Sequence, residues 1–186
     1  MYKIQVENYT VYILGFRECY IEDPASFIRM LREICKPAEI QVLRADCILN
    51  LEHIRFAIFY ALKSIEKSVN IAKTLPLEIL LKIAAEDQID EALSKVGLKK
   101  GEQDIVILIL SENDDHARIA SGKVEKMLGG KVEPDILKPT EDKIRRIMEL
   151  FGISENRLKA EHMYPDVEAA ILNILMEDIA LTMVRK

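Results

Sequence analysis

Residues 77–110, LEILLKIAAEDQIDEALSKVGLKKGEQDIVILIL, decide the fold. They read as helix, polar break, second helix, glycine stop and buried strand. Pro76 suits the first turn of a helix, where its missing N–H costs nothing. Glu78 sits near the positive end of that helix's dipole. Residues 77–85 are apolar nearly all round, which predicts a helix sunk in a core. Asp87 suits the cap of the next helix, with Asp90 and Glu91 in its first turn. Gly97 follows Val96 as a helix-ending glycine does. Residues 104–110 (DIVILIL) form a continuous β-branched run, as a strand covered on both faces requires.

The same punctuation recurs outward from this stretch. Residues 3–7 and 10–16 read as strands with Asn8 in the turn. Asp23-Pro24 opens a helix to about Cys35, and Lys36-Pro37 ends it. Residues 40–45 read as a strand. Asn50 caps a long helix from 51 to about 72, with Ile54, Ala57, Ile58, Ala61, Leu62, Ile65 and Val69 on one stripe. Ser111 suits the cap of a helix to about Leu128, which Gly129-Gly130 stops, and 131–137 reads as a further strand. Thr140 caps a helix over 141–151 with Gly152 at its end. A short turn at 154–159 precedes a last helix from about Pro165 to Val184. The expected fold is α/β (mixed α+β), a single domain over residues 1–186 with a mixed sheet of about four to five strands packed with helices.

Composition narrows the function. The 186 residues are 49% hydrophobic and 31% charged, as in a soluble globular protein with a real core. No run is long and uncharged enough to span a membrane. The first residues, MYKIQVENY, lack a signal-peptide core. Cys19, Cys35 and Cys47 show no CxxC spacing, which predicts reduced, partly buried thiols and a cytoplasmic location. A net charge of −5 argues against a general nucleic-acid binder, though a small local patch of lysines and arginines is compatible with it.

Motifs for catalysis are missing. There is no GxGxxG, no Walker A loop and no GxSxG elbow. His53, His116 and His162 stand far apart without metal-ligand spacing. Glu112, Asp114, Asp115 and His116 form the best polar cluster, and acids at a helix start complement its dipole. A metal-dependent hydrolase built on Glu112, Asp114 and Asp115 is the enzyme alternative. The main reading is a non-enzyme with no catalytic residue, cofactor or metal.

The last helix carries more apolar surface than one buried face needs. Leu172, Leu175, Met176, Ile179, Ala180 and Met183 form a broad face. Val167, Ala170, Ile174 and Leu181 form a second, narrower stripe. That second stripe meets either another layer of the core or a partner protein.

Taken in order, these segments resemble the small non-catalytic subunit of the KEOPS complex, the PRPK-binding protein family. The resemblance rests on Glu78-Ile79-Leu80, the loop 84–88, Ile89-Asp90-Glu91-Ala92-Leu93, Gly97 and the strand 105–110. Before them come Gln41-Val-Leu-Arg-Ala-Asp46 and His53, Ala57 and Ala61 on the long helix. After them come Leu128-Gly-Gly130, Glu141-Asp-Lys143 and the apolar closing helix. It spans about Glu39 onward, more weakly Gly15-Phe-Arg17, and segment 20–36 has no clear counterpart.

The resemblance implies a subunit that binds the KEOPS kinase/ATPase subunit directly and the transferase subunit only through it. It also implies help in recruiting tRNA by its CCA end for threonylcarbamoyladenosine modification beside the anticodon. Ile171, Ile174, Leu175, Asp178 and Leu181 are the expected kinase contacts. Lys73, Lys82, Gln88 and Val96 are the expected contacts to the tRNA end, beside backbone N–H groups of the loop. Many archaeal members carry Arg and then Ser-Gly-x-Arg-Gln here, whereas this chain has Lys82 and then Ala84-Ala-Glu-Asp-Gln88. Glu86 and Asp87 would repel phosphate. The other alternative is a stand-alone domain that binds a small ligand or homodimerises.

Overall fold

The computed structural model describes residues 1–161 and 166–184. In chain order its elements are β1 (Tyr2–Val6), β2 (Tyr9–Ile21), α1 (Pro24–Cys35), β3 (Glu39–Arg44), α2 (Leu51–Glu66), α3 (Leu75–Ala84), α4 (Ile89–Val96), β4 (Gly101–Ser111), α5 (Asp114–Leu128), α6 (Glu141–Leu150), α7 (Glu155–Ala160) and α8 (Val167–Leu181). Short 3-10 turns lie at Ala45–Cys47 and Pro134–Leu137. The architecture is mixed α+β, as the sequence implied. The chain forms two compact units, Met1–Ala45 with Gly97–Ile136 and Asp46–Val96 with Leu137–Lys186.

The first unit is built on a four-stranded sheet in the order β1-β2-β4-β3. Every pairing is antiparallel, which corrects the mixed sheet expected from sequence. Strand β4 is central, and Ile105 to Leu110 are all fully buried. On one face Ile105, Ile107 and Ile109 pack with Tyr12, Leu14, Phe16, Ile40 and Val42 beneath Leu31 and Cys35 of α1 and Ala117, Ala120 and Val124 of α5. The alternate positions Val106, Leu108, Leu110, Val11, Ile13 and Leu43 are buried as well. Period-2 geometry requires apolar residues at both sets, and that requirement wrote the continuous run.

Several boundaries differ from those read in the sequence. Strand β2 continues past Phe16 to Ile21 through a bulge. Residues 131–137 form no strand, because Pro134 has no N–H for a ladder and opens a 3-10 turn. There the chain crosses β2 at Gly15, whose carbonyl accepts the Glu133 N–H (2.9 Å). A Cβ on Gly15 would lie 2.8 Å from the Glu133 carbonyl oxygen, so a side chain is excluded. Asn113, not Ser111, caps α5 by accepting the Asp115 N–H (2.9 Å). Helix α2 ends at Glu66 because Ser68 turns into positive φ (55°). The expected caps Asn50 and Thr140, and Gly129 and Gly152 at positive φ, are in place, and Ser154 caps α7. Pro165 and His162 lie outside the described residues. All three cysteines are free thiols; Cys35 and Cys47 are buried, and burial pushes the Cys35 thiol up to about 11.

The second unit is helical. Its core joins Leu49, Ile147, Ile153, Ile171, Ile174 and Leu175. Helix α3 packs on α2, α4 and α8. Every α3 residue but Leu77 is buried, as its all-round apolar sequence predicts. His53 is fully buried beside Phe151 (ring centroids 5.9 Å, edge-on), and its Nδ1 accepts the Leu49 N–H (3.3 Å).

Burial pushes the His53 pKa from 6.5 down to about 4. The unfolded chain therefore takes up this proton at higher pH than the folded chain does. The stability linked to His53 is complete above about pH 6.5 and is lost as pH falls toward 4, a change on the order of 3 kcal/mol. Urea unfolding between these pH values should show a steeper loss for the natural chain than for His53→Gln. Equal slopes would mean that the imidazole takes its proton without opening the core.

Candidate partner-docking helix

Helix α8 starts at an Asp166 cap, whose carboxylate accepts the Ala169 N–H (2.8 Å). Its burial divides by helical face. Ala170, Ile171, Ile174, Leu175, Ile179 and the following Thr182 are buried. The opposite side carries Leu172, Met176, Ala180 and Met183, all partly open. Their spacing of four, four and three residues is one helix stripe. Val167, Leu181 and Val184 at the two ends are 48%, 45% and 73% exposed.

This division corrects part of the sequence reading. Ile171, Ile174 and Leu175 were expected to meet a partner, but all three are fully enclosed in the unit's own core. Asp178 is half-buried and grips Arg157 of α7 with both carboxylate oxygens (2.8 and 2.9 Å). Of the five residues named from sequence, Leu181 is the exposed one. Periodicity puts Leu172, Met176, Ala180 and Met183 on one broad face with Leu175 and Ile179, and the structure divides that face: Leu175 and Ile179 are enclosed, Leu172 is partly open while packing against the core, and Met176, Ala180 and Met183 are partly open. The two methionines are flexible side chains that adapt to a partner's surface.

Helix α2 packs on α8 and adds a second partly open face. Phe56 and Tyr60 stack at 4.6 Å between centroids, Phe59 meets Tyr60 edge-on at 5.5 Å, and the Lys63 ammonium lies 5.6 Å from the Phe59 centroid. Size makes this second face matter. One face of a 15-residue helix offers roughly 200 Å², against about 800 Å² per partner in a stable interface. Aromatic anchors are the residues that dominate such interfaces.

The residues expected at a tRNA end are dispersed. Lys73 and Gln88 are exposed, before and after α3 respectively. Val96 is fully buried and offers no ring or base a surface. Lys82 is 1% exposed and lies in an ion pair with Glu78 (3.2 Å). In the loop, the Ala85 and Glu86 N–H groups already donate to the Lys82 and Leu81 carbonyls, and Ala85 sits at φ 53°. Glu86 is paired with Lys95 (2.7 Å), which also lies 4.4 Å from the Phe151 ring centroid.

The acids at the start of α5 are also engaged. Asp114 accepts from Lys3 (2.8 Å) and the Tyr12 hydroxyl (3.1 Å), Glu112 from Asn8 (2.7 Å) and Asp115 from Arg118 (2.8 Å). Among the described residues, no three His, Cys, Asp or Glu side chains group closely enough to hold a metal ion. No described helix is long and apolar enough to cross a membrane.

Residues 21–182 match the family model described as kinase binding protein CGI-121. A protein of Methanocaldococcus jannaschii named "Regulatory protein Cgi121" is 29% identical over 115 residues, covering 62% of this chain and 71% of that protein. A protein of Pyrococcus abyssi named "KEOPS complex subunit Cgi121" is 35% identical over 118 residues, covering 62% of this chain and 63% of that protein.

Proposed function

Because this chain belongs to the CGI-121 family of kinase-binding proteins, we propose that it is the non-catalytic small subunit of a KEOPS assembly, held to the kinase/ATPase subunit by α8. The observation that carries this reading is the apolar stripe Leu172, Met176, Ala180 and Met183, left partly open while the other face of α8 is fully enclosed. Leu181 and the aromatic face of α2 extend the contact. Catalytic groups and ATP belong to the partners, and the transferase subunit is reached through the kinase. Mixed with the kinase subunit, the chain should elute as one heterodimer by size exclusion with light scattering. Separate elution, or a self-dimer indifferent to the kinase, would favour the stand-alone reading.

The reading extends to tRNA recruitment, as the family resemblance implies. Here it rests on the exposed Lys73 and Gln88, since Lys82 and Val96 are enclosed. Phosphate contacts are salt-dependent and weaken affinity roughly uniformly when lost. Lys73→Glu should therefore lower tRNA affinity of the kinase-bound chain several-fold in a mobility shift. Unchanged affinity would place the tRNA end elsewhere.

A further inference from the structure

Strand β2 overhangs β1. Strand β1 pairs with residues 9–13 only. Beyond them the Gly15 carbonyl is taken by Glu133. On its other edge β2 pairs with β4 as far as Ile21. Residues 16–21 thus have no strand on the β1 side among the described residues.

That edge borders a cavity of about 560 Å³ that touches Phe16, Arg17, Glu18, Cys19, Tyr20 and Ile21 in unbroken succession. Past the bulge, Cys19, Tyr20 and Ile21 point alternately to opposite faces, so a cavity that meets all three follows the edge of the strand and not one face of the sheet. The far wall is the loop after α5, with Leu128, Gly130, Lys131 and Glu133, and Phe27 of α1 also lines the cavity. The Tyr2 hydroxyl, at the head of β1, donates to the Pro134 carbonyl (3.3 Å), which puts this loop on the β1 side. The loop stands off from β2 across a gap where a further strand would run.

We propose that this gap receives one extended peptide segment of a partner protein as an added strand on β2. An open edge points main-chain N–H and C=O groups outward at alternate residues, and an extended chain answers both. Phe27 and Leu128, partly open over the buried Phe16 and Ile21, give an apolar seat for a side chain. The edge is held in shape. Asp104 accepts the Glu18 N–H (2.9 Å) and the Arg17 guanidinium (3.0 Å), which fixes the bulge and its φ of 52° at Glu18. The rim carries two cations, Arg17 and Lys131, and two anions, Glu18 and Glu133, so the occupant is an apolar-centred segment without strong net charge. The free run covers only residues 16–21 and is interrupted by the bulge, which excludes the long flat edge of a second copy.

A random heptapeptide phage library panned on the full chain tests this. Enriched peptides should alternate apolar and polar residues and should slow amide exchange at residues 17–21. Gly130→Phe puts a side chain at the cavity wall; a Cβ there meets the Phe16 ring at an ordinary 3.5 Å. That variant should lose the peptides while keeping its melting temperature. N-methylation of a selected peptide at alternate residues should weaken binding roughly tenfold or more, because each lost main-chain hydrogen bond counts. No enrichment, peptides indifferent to Gly130→Phe, or N-methylated peptides binding equally well would overturn the proposal.

Discussion

Lys82→Met should lower the unfolding free energy by about 3–5 kcal/mol, the cost of stranding a buried charge. Lys82 and Glu78 are 1% and 0% exposed, one helical turn apart on α3. The Lys82 ammonium lies 3.2 Å from one Glu78 oxygen and donates to the Thr182 hydroxyl (2.8 Å), just past the end of α8. The other Glu78 oxygen accepts the Ile71 and Ala72 N–H groups (3.0 and 2.9 Å). At an effective dielectric constant of 20 the pair attracts by roughly 5 kcal/mol, enough to offset burial only while both charges are present. The double variant Glu78→Gln/Lys82→Met should therefore be more stable than Lys82→Met alone by a few kcal/mol. Urea denaturation of the three chains reads this directly. A single variant within about 1 kcal/mol of the natural chain would show that the pair is not closed off from water. The same contacts mean that Lys82→Glu tests folding and not tRNA binding.

Met176→Glu with Met183→Glu should abolish kinase binding, by about a hundredfold or more, and leave the chain folded. Each places a carboxylate on the open side of α8, where it reaches water in the free chain and is buried unpaired in a complex. Ile174→Glu is the contrast. Its side chain sits in the closed core with Leu49 and Ile147, so a charge there should unfold the second unit before any partner is met. Even Ile174→Ala should cost roughly 2–5 kcal/mol. Melting curves separate the two classes of variant. Equal destabilisation by both would place Met176 and Met183 in the core.

Much of this fold is legible in the sequence where local rules and tertiary packing agree. The string α3, α4 and β4 combines an all-round apolar helix, an amphipathic helix and a β-branched run, and each lands where its periodicity requires. The i, i+4 pair Glu78 and Lys82 inside an apolar helix already hinted at a buried ion pair. Other features depend on contacts that periodicity does not encode. The continuation of β2 beyond Phe16 relies on a bulge pinned by Asp104, a residue distant in sequence. Residues 131–137 alternate weakly, but Pro134 and the crossing at Gly15 override the pattern.

The candidate site was half legible. That α8 has surplus apolar surface follows from its composition. Which stripe is open depends on the placement of Leu49, Ile147 and Ile153, which enclose Ile171, Ile174 and Leu175 and which periodicity along α8 does not encode. On the tRNA side, the loop carries Ala85 and Asp87 where many archaeal members have glycine and arginine. The Glu86–Lys95 pair and the capping N–H groups leave that loop occupied with its own chain.

The methionine methyl groups offer the most direct measurement of the docking face. In a methyl-labelled natural chain titrated with the kinase subunit, Met176 and Met183 should shift or broaden at stoichiometric addition, while Met30 on α1 and Met127 on α5 stay in place. Perturbation of Met30 or Met127 with Met176 and Met183 unmoved would contradict docking through α8.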